Sequence, residues 1–281
     1  MPDDRIAIIG LGTMGRGIAE AALAAGYRVI VIGRDQASTT RRVADFSSSL
    51  QKLARLKRFP EEAAIDLENR LSSSVSLEDG ANCSLVIESI PEDLAAKQEL
   101  FRRLDTICQP QTVLATNTSC LTVSQVSELA KGKERILGIH FFNPVTLMKL
   151  VEIIPTTATS QNAFDKACEF CASLGKTVVH APDTPGFIVN RLLLAFLCEA
   201  MRLHEMGVSA EDIDKAVTQG LNHPMGPFKL ADFIGLDTAL YIAKSMNDQL
   251  DDPHFTPSLT LERLVQEGKL GRKSGQGFYN Y

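Results

Sequence analysis

One hexapeptide limits this chain more than any other stretch: Gly10-Leu11-Gly12-Thr13-Met14-Gly15, a G-x-G-x-x-G. It follows an apolar run, RIAIIG, that reads as a buried strand, and it opens a small-residue helix that ends at Gly26. RVIVI, residues 28–32, is then a second strand. In this setting each glycine has a task. Gly10 permits the tight turn, Gly12 lets backbone approach a pyrophosphate, and Gly15 lets the helix lie on the strand. The N–H groups of Thr13, Met14 and Gly15 open the helix toward the phosphates. A β-α-β unit built around this loop predicts a dinucleotide site in a doubly wound sheet.

The second strand carries an anomaly. A site for NAD(H) ordinarily ends that strand in a carboxylate, about 20 residues after the loop, that binds the ribose hydroxyls. Here Gly33 stands at that point, followed by Arg34 and Asp35. Gly33 removes the charge that would repel a 2′-phosphate, and Arg34 supplies a fixed cationic fork that suits one. The expected cofactor is therefore NADP(H). NAD(H) is the alternative if Asp35 reaches the ribose; the other reading of Asp35 is an N-cap for the helix that follows.

The rest of the chain fits an α/β, Rossmann-like, doubly wound and mostly parallel sheet. Residues 36–70 interrupt it as a charged helical hairpin insert with Pro60 near the turn. Alternation resumes with strands at 84–90, 112–119, 135–143, 149–154 and 176–181, and with helices at 92–107 and 161–174. Beyond PDTPG (182–186) the pattern is helical only, with breaks at Gly207, 222–227, Gly235 and 251–257. This predicts a dinucleotide-binding domain over 1–184 and an all-α C-terminal domain over 185–281 for substrate binding and dimerisation. A net charge of -5 gives no general attraction to nucleic acid or to an anionic membrane. The longest apolar helix pattern, Phe187–Leu197, is broken by Asn190 and Arg191, so no membrane span is expected. Strand-like sequence from Arg5 leaves no room for a leader, and the six cysteines follow no disulfide framework; a cytoplasmic protein is expected. Cys168 and Cys171 lie one turn apart in an amphipathic helix pattern, which favours packing over redox chemistry.

His140 ends one expected strand and Glu152 lies on the next, with a turn at Pro144 between them. Side by side they would form a general base, the carboxylate fixing the imidazole tautomer. Taken in order, GLGTMG, NTS (117–119), HFFNP (140–144), LVEII, PGFIVNRLL, NHPMGPFKLAD and GRKSGQGFY resemble the L-3-hydroxyacyl-CoA dehydrogenases of the 3-hydroxybutyryl-CoA dehydrogenase type over nearly the whole chain.

The resemblance implies an oxidoreductase of fatty acid metabolism that moves a hydride between a nicotinamide cofactor and C3 of a 3-hydroxyacyl or 3-oxoacyl thioester, with no metal. It implies that His140 is the general acid–base, that Glu152 orients it, and that Ser119 and Asn190 hold the reacting oxygen and the substrate. Glu92, Lys97, Asn117, Ser119 and Asn143 fall where the family contacts its cofactor. Two departures stand out: Gly33 replaces the acidic residue after strand two, and Cys120 replaces a serine after Asn-Thr-Ser. The hairpin is locally basic, with Arg41, Arg42, Lys52, Arg55, Lys57 and Arg58. The family turns it toward coenzyme A, which places Ser49, Lys52, Arg55 and Lys57 at the substrate. The same patch suits an acyl carrier protein, so an acyl-CoA and a carrier-bound thioester both stay open as substrates. A homodimer is expected, because Phe187–Leu197 is apolar around much of its circumference and the family dimerises through this domain. The competing reading is a non-catalytic dinucleotide-binding homologue; the joint presence of Ser119, His140, Glu152 and Asn190 argues against it.

Overall fold

A computed structural model describes residues 4–55, 67 and 69–281, the side chains of 50–55 excepted. The chain divides into two compact units, Met1–Asp183 and Thr184–Tyr281.

The first unit is one eight-stranded sheet: β1 (Arg5–Ile9), β2 (Arg28–Ile32), β3 (Leu71–Ser74), β4 (Leu85–Glu88), β5 (Val113–Thr116), β6 (Ile136–Phe141), β7 (Leu150–Pro155) and β8 (Thr177–His180). Their order across the sheet is β3-β2-β1-β4-β5-β6-β7-β8. Every neighbouring pair is parallel except β6 and β7. Its helices include α1 (Thr13–Ala24), α2 (Gln36–Arg55), α3 (Leu94–Ile107), the short α4 (Val123–Val126) and α5 (Gln161–Ser173). The sheet core comes from near-continuous apolar strands such as Ile6, Ile8, Val29, Val31 and Ile87, as a sheet covered on both faces requires. Helix α1 approaches closely because it presents small residues: a Cβ at Gly15 would stand 2.0 Å from the carbonyl oxygen of Gly10.

Strand β3 was not expected. Leu71-Ser72-Ser73-Ser74 is polar and lies at the sheet edge, paired on one side with β2, so it lacks the apolar signature of the inner strands. The first arm of the expected hairpin is α2. Lys57, Arg58, the turn at Pro60 and most of the second arm fall outside the described residues, as do the side chains of Lys52 and Arg55.

The second unit contains α6 (Val189–Glu205), α7 (Ala210–Gly220), α8 (Pro227–Ile234), α9 (Leu236–Leu250) and α10 (Leu259–Gln266), each ending at a break visible in the sequence. Its last residues are held by two buried carboxylates. Asp232 accepts from the backbone N–H of Phe278 and Tyr279, both at 2.9 Å, and from the Tyr281 hydroxyl at 3.1 Å. Asp214 accepts from the N–H of Phe228 at 2.8 Å and from the Tyr279 hydroxyl at 2.9 Å. Gly277 is required there, since a Cβ would lie 2.0 Å from Asp232 Oδ1. The ADF and GRKSGQGFY segments are thus two halves of one packing motif. Among the described residues no helix is long and apolar enough to cross a membrane.

Candidate active site

Five adjacent strands, β2, β1, β4, β5 and β6, end on one edge because they are parallel. The chain segments that leave them carry the candidate residues. Gly33 and Arg34 follow β2, the glycine loop follows β1, Glu92 follows β4, Asn117 to Ser119 follow β5, and His140 and Asn143 stand at the end of β6. The edge reverses strand order at β1 and β4, the usual place for a dinucleotide in an open α/β sheet. Four strand spacings of roughly 4.8 Å separate β2 from β6, a span of about 19 Å.

The glycine loop has the shape expected of a phosphate cradle. Gly10 adopts φ +95°, and a Cβ there would strike the Ser89 carbonyl oxygen at 2.6 Å. A Cβ at Gly12, by contrast, would meet nothing within 4 Å. Gly12 is the N-cap of α1, so the first N–H groups of that helix have no intrahelical acceptor. Residues 10–15 therefore fit the pyrophosphate of a dinucleotide.

Next to it, Glu92 organises the Asn-Thr-Ser loop. Its Oε1 accepts from the N–H of Ser119 at 2.9 Å and of Cys120 at 3.1 Å, and from the Thr118 hydroxyl. Lys97 lies 3.2 Å from Glu92 Oε2. Burial raises the carboxyl's pKa, but Lys97 and these three donors outweigh it and hold Glu92 below its ordinary value. Lys97 is itself only 1% exposed, and its ammonium also meets Glu88 Oε1 at 2.6 Å and the Ile90 carbonyl at 3.4 Å. Three acceptors thus match its three donors. Glu88 accepts in addition from the N–H of Ile90 and from the Thr116 hydroxyl, both at 2.7 Å. The family resemblance implies cofactor contacts for Lys97 and Glu92 and none for Glu88. The signal was present, an acidic residue inside the apolar strand SLVIESI.

Strands β6 and β7 pair antiparallel with His140 opposite Glu152. His140 Nδ1 and Glu152 Oε2 are 2.7 Å apart, and both residues are buried. The carboxylate accepts from Nδ1–H, which leaves Nε2 as the nitrogen that can accept a proton. The Phe142 ring packs against the imidazole with centroids 4.6 Å apart. Asn117 Oδ1 accepts from the Phe141 N–H at 2.9 Å, tying the β5 loop to the end of β6. After the cis Asn143–Pro144 bond, Val145 packs on α1, where a Cβ at Gly17 would lie 2.9 Å from Val145 Cβ. Asn143 is therefore carried on a turn braced against the helix of the glycine loop.

Two expectations resolve differently from each other. Asp35 is the N-cap of α2: its Oδ1 accepts from the Ser38 N–H at 2.9 Å and its Oδ2 from the Ser38 hydroxyl at 2.7 Å. These bonds from Ser38 hold its carboxyl below the ordinary range. Gly33 is enclosed rather than open. A Cβ there would stand 1.8 Å from Thr39 Oγ1, which instead donates to the Asp35 carbonyl at 2.6 Å. Arg34 is 95% exposed, and its Nε lies 3.9 Å from Asp35 Oδ2. Ser49 accepts from Arg16 and donates to the Asp45 carbonyl at 2.9 Å. Asn190 lies near the start of α6 in the second unit, where it is buried. Both cysteines of C-x-x-C lie within α5, and burial raises both thiols above their ordinary range.

This fold and this edge define a nicotinamide-dinucleotide oxidoreductase with a buried His–Glu pair. Comparison with known proteins narrows the class. Residues 5–184 match the model of the 3-hydroxyacyl-CoA dehydrogenase NAD binding domain, and residues 186–281 match the C-terminal domain of the same family. The chain belongs to the 3-hydroxyacyl-CoA dehydrogenase family. It is 43% identical to the mitochondrial hydroxyacyl-coenzyme A dehydrogenase of Rattus norvegicus, covering 98% of this chain and 90% of the relative. It is 41% identical to the 3-hydroxybutyryl-CoA dehydrogenase of Mycobacterium tuberculosis, covering 99% of this chain and 98% of the relative. The crystal structure of (S)-3-hydroxybutyryl-CoA dehydrogenase PaaH1 from Ralstonia eutropha superposes with a TM-score of 0.89 at 34% identity, covering 99% of this chain and 98% of that one.

Proposed function

We propose that this family member interconverts 3-hydroxyacyl-CoA and 3-oxoacyl-CoA thioesters of short chain, with His140 as general acid–base and NADP(H) as preferred cofactor. The observation that carries the first part is the 2.7 Å contact of His140 Nδ1 with buried Glu152. It leaves Nε2 to take the proton of the 3-hydroxyl in oxidation and to return it in reduction. Glu152 fixes the ring and stabilises the imidazolium that forms. A bound nicotinamide supplies the hydride acceptor, or the donor in the reverse direction. Residues 10–15 would hold the pyrophosphate, and Asn143 and the Asn117–Ser119 loop would border the nicotinamide. Glu92 shapes that loop through its bonds to Ser119 and Cys120. Ser119 and Asn190 are assigned to the substrate. The exposed apolar residues Leu192 and Met206, on or beside α6, support a homodimer through the second unit. The names of several relatives favour a four-carbon CoA substrate over a carrier-bound one.

The cofactor assignment rests on Gly33 and Arg34. Gly33 offers no side chain at the end of β2, and the Asp35 carboxylate that follows is engaged by Ser38. Arg34→Ala is expected to lower kcat/KM for NADPH roughly tenfold to a hundredfold with little change for NADH. The gain-of-function partner must respect the packing. Gly33→Asp alone would drive its Cβ into Thr39, to 1.8 Å from Oγ1 and 2.9 Å from Cβ, so Gly33→Asp combined with Thr39→Gly is the variant expected to gain on NADH. Steady-state kinetics with both cofactors checks this. A wild type that prefers NADH and is indifferent to Arg34→Ala would reverse the assignment.

The basic hairpin is assigned to the thioester's nucleotide. Arg55→Glu with Lys57→Glu is expected to raise KM for acetoacetyl-CoA while leaving KM for the nicotinamide unchanged, the pattern of lost uniform binding. An unchanged thioester KM would return these residues to an ordinary solvated surface.

A further inference from the structure

Helix α2 turns a stripe of residues three and four apart toward the glycine loop and α1. Thr39 fills the space beside Gly33. Phe46, fully buried, lies under the Arg16 guanidinium at 5.6 Å, and Ser49 accepts from the same arginine. These three hold the helix to its neighbours. The fourth member, Arg42, is different. It is exposed, and its Nη1 donates to the Leu11 carbonyl at 2.9 Å. That bond uses one of five N–H donors. Among the described residues no carboxylate forms an ion pair with it.

Leu11 is the second residue of the glycine loop, directly after β1, and Arg34 directly follows β2. The two strands are neighbours in register, Ile9 opposite Ile32. Arg34 and the anchored head of Arg42 therefore belong to one corner of the sheet edge, on the side away from His140. The nearby Asp35 carboxylate is turned into the N-terminus of α2 by Ser38. A loop carbonyl needs only one neutral donor. A guanidinium brings a full charge and four further N–H groups to a corner where the neighbouring Asp35 carboxylate is engaged by Ser38.

We infer that Arg42 is a second specificity-determining residue for the cofactor, binding with Arg34 the 2′-phosphate of an adenosine 2′,5′-bisphosphate group. This rests on the NADP(H) reading above and extends it to a residue 31 positions from the loop that anchors it. Arg34, 95% exposed and only loosely paired with Asp35 at 3.9 Å, supplies charge from the surface; Arg42, fixed at Leu11, supplies a preorganised donor set.

Calorimetric titration with 2′,5′-ADP and with 5′-AMP separates the possibilities without turnover. Wild type, Arg34→Ala, Arg42→Ala and Arg42→Gln are compared, with melting temperatures to verify folding. Wild type should bind 2′,5′-ADP more tightly than 5′-AMP. Arg42→Ala should weaken 2′,5′-ADP roughly tenfold to a hundredfold and leave 5′-AMP nearly unchanged. Arg42→Gln, which keeps a neutral donor for Leu11, should show the same selective loss. Equal losses for both ligands in Arg42→Ala, restored for both by Arg42→Gln, would make Arg42 a loop strut and overturn the inference alone. A preference for 2′,5′-ADP that survives in both Arg42 variants would also overturn it while sparing the role of Arg34. A wild type with no preference would overturn the NADP(H) reading and this inference together.

Discussion

Replacing His140 by alanine is expected to lower kcat by about 10² to 10⁴, the usual contribution of a general acid–base, while cofactor affinity stays within about twofold. The reason is geometric. His140 is only 4% exposed and its Nδ1 is engaged by Glu152, so the proposed role in turnover falls to Nε2. Because the alanine variant leaves a buried carboxylate without that partner, His140→Gln is the necessary companion. Its amide can still donate to Glu152, yet it cannot take a proton at neutral pH. Both should be nearly inactive. Glu152→Gln should reduce the same parameter by a smaller factor, since the imidazole remains but its tautomer is no longer fixed by a charge. Stopped-flow measurement of a single turnover, together with fluorescence titration of the cofactor, checks both halves of the prediction. Activity close to wild type in His140→Gln would remove the histidine from the chemistry.

The second large effect concerns stability. Lys97 is buried between Glu88 and Glu92, at 2.6 and 3.2 Å. Lys97→Met takes away the cation between them and leaves two carboxylates side by side, Glu88 fully buried and Glu92 largely so. Removing one partner of a buried pair costs about 3–5 kcal/mol, far more than the pair itself contributes over an apolar replacement. Urea denaturation should show a loss of that size. The double variant Lys97→Met/Glu88→Gln should recover part of it, because the remaining groups no longer carry two adjacent charges. If Lys97 instead served mainly to touch the cofactor, Lys97→Met would weaken cofactor binding at nearly unchanged stability.

Much of this site is legible from sequence where function coincides with a local pattern. The glycine loop stands between a strand and a helix, so its meaning survives without coordinates. The His140–Glu152 pair is foreseeable because a single turn at Pro144 separates two apolar strands, and the register then follows. The helix breaks of the second unit are written in glycines and prolines. What escaped depends on long-range contact or lacks a local signature. Strand β3 is a serine-rich edge whose strand character comes from pairing with β2. Glu88 hides within an apolar strand, and its task appears only when Lys97, Thr116 and Ile90 converge on it. The obstruction of Gly33 by Thr39 is a packing fact, since any sequence argument treats that glycine as vacant space. Arg42 was counted with the basic hairpin because no pattern links it to Leu11.

The central claim is that the His140–Glu152 pair serves 3-hydroxyacyl thioester redox chemistry. Reduction of acetoacetyl-CoA by the purified full chain, followed by loss of nicotinamide absorbance with NADPH and with NADH in turn, tests it most directly. The account predicts steady turnover with a higher kcat/KM for NADPH, abolished in His140→Gln under identical conditions. A folded wild type that oxidises neither cofactor in the presence of acetoacetyl-CoA, or one whose turnover is unaffected by His140→Gln, would contradict it.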